Sequence, residues 1–337
     1  MASGNSDKVC ISTSGARLIL EAIGRPRRIG LSAAEKEALF RAKEVRHLVY
    51  RLGLGSKGFG DVLEAVARGR KPRQAWLVPY FQQYQDYSRR AGKLLGFLGQ
   101  MEKEKENVLG SALTLARHYL DDDAYIEAEV ELVLGGGADA CGINRIDPRP
   151  ILIDLAQFTG NVDEMTRIMA HELHHKADSW SSETRREVYW ILEQGPREIL
   201  QLYTLASELI GEGIAVFLTF PSRFSRLYQE QAGRMPDLYR EVESGILKAS
   251  MGMHQRSFDT LYSKLYNQAG PLYMVGCDMA KTIEDELGHD HLVSCSAGVA
   301  SFFEAYRESC RSAGRQHHFS ETVYKQARYL SHYLQQL

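Results

Sequence analysis

The sequence predicts a predominantly helical α+β protein, with a small β-sheet placed just before a histidine-bearing helix. Three observations carry that class. Apolar residues recur at helical spacing over most of the chain. Between about residues 125 and 155 the pattern shifts toward alternation, with glycine turns between short runs. Directly afterwards, His171-Glu172-Leu173-His174-His175 continues an apolar stripe of Met165, Ile168, Met169 and Leu173.

The 337 residues suffice for a large core and two lobes, expected at 1–122 (helical) and 123–337 (around the histidine motif). A net charge of −2 gives no reason to expect nucleic acid or a membrane as partner. Residues 1–120 nevertheless hold 21 Lys/Arg against 11 Asp/Glu, and residues 121–337 hold 20 against 32. Mutual neutralisation of the two halves explains this most simply; a cationic surface for an acidic partner is the alternative. The first residues, Met1 to Lys8, lack the apolar core of a signal peptide, and no run of ~18 uncharged apolar residues suggests a membrane span. Five scattered cysteines (10, 141, 277, 295 and 310), none in a Cys-x-x-Cys pair, point to a reduced, cytoplasmic protein with isolated thiols.

In chain order, residues 9–23 read as a short strand or turn entering a helix. A loop around Arg25-Pro26-Arg27-Arg28 follows. Ser32 with Glu35 forms a capping box for a helix expected to reach about Leu52. The glycine-rich run Gly53 to Gly60 lacks the order of a phosphate loop and reads as a connector. Helices are expected at about 76–87, with Pro79 in the first turn, and 91–120, where Glu102 to Glu106 form a solvated face. Residues 125–134 read as a half-buried strand, Gly135 to Gly137 as a turn, and 141–144 and 151–155 as short strands. A sheet edge here could pair with an extended substrate. Helices are then expected at about 182–193, 197–220, 222–233, 236–247, 255–267, 271–286, 292–312 and 320–335.

The chemistry centres on the histidine motif. Positions i and i+4 share a helix face, so His171 and His175 can both reach one metal ion. Glu172 can lie beside that ion as a general base. Asn161 and Asp163 supply helix-start signals. A catalytic zinc usually takes a third protein ligand. The candidate segment is Ser207 to Phe217, an apolar helix interrupted by Glu208 and Glu212. Such acids are costly to bury unless paired or metal-bound. Glu212, flanked by Gly211 and Gly213, is the preferred ligand, with Glu208 as its alternative.

His171 to His175 followed by Glu212-Gly213-Ile214-Ala215 resembles the gluzincin metallopeptidases. More closely, it is similar to zinc-dependent peptidases classed only as a domain of unknown function, over roughly residues 125–310. The 36 residues between His175 and Glu212 exceed the spacing in the best-known gluzincins. The resemblance implies one zinc ion, a peptide or other amide substrate, and a downstream oxyanion donor, for which Tyr273 in Gly270-Pro271-Leu272-Tyr273 is the candidate. His289 and His291 are weaker candidates. Two rivals stay open: an Fe2+ enzyme using the same two histidines and carboxylate, and a catalytically silent binding protein. Glu172 favours the hydrolase, which needs a base at that position.

Overall fold

A computed structural model describes residues 7–24, 30–122, 124–136, 140–142, 149–177, 192–267, 270–315 and 318–336. The fold is helix-rich α+β, as expected, and divides into two compact units. One is built from Ser6–Leu113 and Ile126–Lys176, the other chiefly from Thr114–Tyr125 and Ala177–Leu337. The strands and the histidine helix thus share a unit with the N-terminal helices, where the sequence suggested a boundary at 122/123.

The first unit opens with β1 (Lys8–Ser12), α1 (Ser14–Ile23), α2 (Ala33–Arg41), α3 (Lys43–Leu52), α4 (Gly55–Arg68), α5 (Val78–Arg89) and α6 (Ala91–Arg117). Ser32 and Glu35 form the expected reciprocal capping box on α2. The single helix expected to run from there to Leu52 is broken at Ala42, whose ψ of 128° is extended. The glycine-rich run is no connector beyond Leu54, since Gly55 to Gly60 form the opening of α4. Leu63, Val66 and Phe59 there are buried and anchor that helix.

The sheet adds β2 (Glu127–Val133), β3 (Ala140–Gly142) and β4 (Pro150–Asp154) in the order β1-β2-β4-β3. β1, β2 and β4 are parallel, and β3 runs antiparallel at the edge beside β4. The expected half-buried β2 is instead largely enclosed, with Val130 to Val133 all buried. Glu131, fully shielded, is held there by His47 of α3, whose Nδ1 lies 2.8 Å from Oε2. Buried acids require such a partner. After β2 the chain turns at Gly135 and Gly136, both with positive φ, a region glycine enters without steric cost. At the end of β4, the buried Asp154 caps the next turn through Ala156 N–H and accepts from Tyr87 OH at 3.1 Å. Burial is the dominant influence on Asp154 and pushes its pKa up despite these donors. α7 (Val162–His174) follows at once.

The second unit contains α8 (Arg197–Leu218), α9 (Arg223–Gln231), α10 (Met235–Ala249), α11 (Gln255–Tyr266), α12 (Pro271–Leu287), α13 (His289–Ser296), α14 (Val299–Ser312) and α15 (Glu321–Leu334). One helix expected over 292–312 is two, separated around Gly298, whose extended backbone precedes α14. Residues 182–191 of the helix expected at 182–193, and the strand residues 143–144, lie outside the described residues. α8 and α12 form the centre: a Cβ on Gly213 would stand 2.3 Å from the Gly276 carbonyl carbon. The helices touch backbone to backbone, which only glycine allows. Among the described residues, α8 alone is long and apolar enough to cross a membrane, yet most of it is buried inside the protein, as in a core helix. Cys10, Cys277, Cys295 and Cys310 are free thiols.

Candidate metal centre

α7 is capped by Asn161, whose side chain accepts from Glu164 N–H at 3.0 Å. Asp163 and Glu164 lie in the first turn, where the helix dipole favours acids. Met165, Ile168, Met169 and Leu173 are all buried and fix the rotation of the helix, as their spacing predicts. That rotation carries His171 inward, where it is 5% exposed. His175 is the C-cap but retains helical φ and ψ, so it stays one turn above His171. The two Nε2 atoms lie 3.2 Å apart, with the rings edge to face.

That separation tests the fit to a metal. Two zinc–nitrogen bonds of about 2.1 Å meeting at a tetrahedral angle place their nitrogens about 3.4 Å apart. The pair therefore matches two corners of one coordination sphere with little rearrangement. Glu172, the next residue along the helix, is half-buried, and its carboxylate makes no hydrogen bond among the described residues. His174 is also half-buried, its ring 6.4 Å from that of His175.

In the other unit, Glu212 is 5% exposed on α8, and Glu208, one turn earlier, is half-buried. Tyr266, the last residue of α11, donates its hydroxyl to Glu212 Oε1 at 2.8 Å. Its ring lies 5.3 Å from that of Tyr273 in the first turn of α12, and it stacks on Tyr262 at 5.0 Å. Burial, then the charges of Glu212 and Glu208, drive the Tyr266 phenol far above its ordinary pKa. The structure thus gathers Glu212, Glu208 and Tyr273 around Tyr266. Sequence reasoning missed Tyr266. The available signal was the one-turn spacing of Tyr262 and Tyr266 just before Gly270-Pro271. His289 joins a different group, against His118 and Glu284, and His291 is exposed.

A family model described as "Putative zinc dependent peptidase (DUF5700)" matches residues 37–314. The match spans both α7 and α8. Neither a curated protein nor a solved structure matches the chain.

Proposed function

The chain belongs to the DUF5700 family, and from that premise we propose that it is a zinc-dependent hydrolase cleaving a peptide or other amide bond. The observation that carries this reading is the 3.2 Å separation of the His171 and His175 Nε2 atoms on a helix that also bears Glu172. In this reading His171, His175 and Glu212 hold one zinc ion, with Glu208 as the alternative carboxylate. Bound zinc supplies a Lewis acid and lowers the pKa of a coordinated water to about 7.

The chain's own residues do the rest. Glu172 takes a proton from the attacking water on its carboxylate and returns it to the departing amine nitrogen. Tyr273 donates its hydroxyl hydrogen to the carbonyl oxygen as negative charge builds there. Tyr266 fixes the rotation of the Glu212 carboxylate. β3 is an edge strand in contact with α7, so an extended peptide can add to the sheet beside that helix.

The test is metal analysis of protein purified without added metal, with parallel assays of amide cleavage and oxygen uptake. Zinc with chelator-sensitive amide cleavage is expected. Iron with oxygen uptake would instead favour the non-haem iron reading, and neither activity a silent binding protein. Glu212→Ala should release the zinc while Glu208→Ala retains it; the reverse pattern would exchange their roles.

A further inference from the structure

A second group of ligand-type side chains lies wholly within the C-terminal unit. His118 follows α6 directly, in a turn closed by its N–H donating to Leu115 O at 3.2 Å. Glu284 sits in the last turn of α12, and His289 opens α13. Gly288 between them has a φ of 90°, and this left-handed step folds the chain so that His289 returns toward Glu284. The ligand atoms of all three residues lie within 4.8 Å of one another.

The polar atoms of this group are poorly satisfied. Glu284 Oε2 and His289 Nδ1 are shielded from solvent and have no hydrogen-bond partner in the structure. His289 Nδ1 stands 3.9 Å from Glu284 Oε1, beyond hydrogen-bond reach. Tyr119 packs nearby: burial first, and then the Glu284 carboxylate, raise its phenol strongly. A buried carboxylate oxygen facing an imidazole nitrogen is costly without a cation or proton between them. The C-terminal end of α12 adds partial negative charge at the same place.

We propose that His118, Glu284 and His289 bind a divalent transition-metal ion of the zinc class, separate from the histidine pair on α7. Two imidazoles and a carboxylate are a donor set suited to such ions. The imidazoles of His118 and His289 now stack at 4.4 Å with 26° between their planes. Binding turns each ring about χ2, so that nitrogens rather than faces aim at a common point. The donors then close to about 3.4 Å from one another. The bound ion ties the end of α6 to the α12–α13 corner and so stabilises the unit by linkage.

The experiment is calorimetric zinc titration of the full chain after chelator dialysis, with thermal melts in parallel. Two zinc ions per chain are expected for the wild type. His118→Ala and Glu284→Gln should each bind one fewer and lose part of the zinc-induced rise in Tm. His118 is exposed, so its removal leaves the core intact. His171→Ala with His175→Ala should remove the other ion and leave this one. Unchanged stoichiometry in both His118→Ala and Glu284→Gln overturns the proposal. If the wild type binds only one ion, the variant that abolishes it decides: loss with His118→Ala supports this site and counts against the α7 reading, whereas loss with His171→Ala and His175→Ala does the opposite.

Discussion

Tyr266 shows how much one hydroxyl can decide. Its bond to Glu212 Oε1 helps to orient a buried carboxylate on an otherwise apolar helix. Groups that orient a metal ligand typically contribute 10–100-fold in metal affinity. Tyr266→Phe keeps the ring and its stacking on Tyr262, and it should weaken zinc binding by about that factor. Competition against a chromophoric chelator measures this, and unchanged affinity would detach Tyr266 from the centre. The one-turn spacing from Tyr262 is a weak signal among 17 tyrosines, and it gains meaning only when α11 and α8 are brought together. His171, Glu172 and His175 were evident because helical spacing alone puts them in place.

Among the elements, the α8–α12 contact is the least forgiving. A Cβ on Gly276 would lie 1.9 Å from Leu209 O, and backbone cannot step aside cheaply. Gly276→Ala should therefore cost about 1–3 kcal/mol or more. Gly96→Ala, on an open face of α6 with nothing within 4 Å, should stabilise by up to about 1 kcal/mol. Urea denaturation midpoints compare the two, and equal shifts would contradict the close approach. A second test concerns the link from β1 and α1 to α3. Burial alone would raise the Glu44 pKa, but donation from the Ser12 and Ser14 hydroxyls outweighs it and holds the value below 4.5. The depressed group contributes stability above pH 4.5 that is lost as pH falls through its folded value. Glu44→Gln should flatten the stability-versus-pH curve on that acid limb; an unaltered slope would show that the carboxylate contributes nothing there.

Sequence periodicity located most elements but misread three features for physical reasons. Ala42 carries no turn signal, and it interrupts a run whose helical pattern continues on both sides. Gly55 to Gly60 look like a loop, yet Phe59, Val62 and Leu63 gain enough burial to hold them in a helix. The enclosure of β2 depends on His47 meeting Glu131 from 84 residues away, which no local pattern reveals.

For the whole molecule, the proposed chemistry falls to a few side chains on α7, α8 and α12. Family membership over residues 37–314 supports zinc and a peptidase-type reaction, but the distinction between a hydrolase and a silent binder rests on Glu172. The decisive measurement is amide hydrolysis by Glu172→Gln, with zinc content determined on the same preparation. The amide side chain preserves size and cannot accept the proton, so hydrolysis should fall by at least about 10²–10⁴-fold while zinc content is unchanged. Hydrolysis at the wild-type rate with zinc in place would contradict the proposed role of the His171–His175 helix.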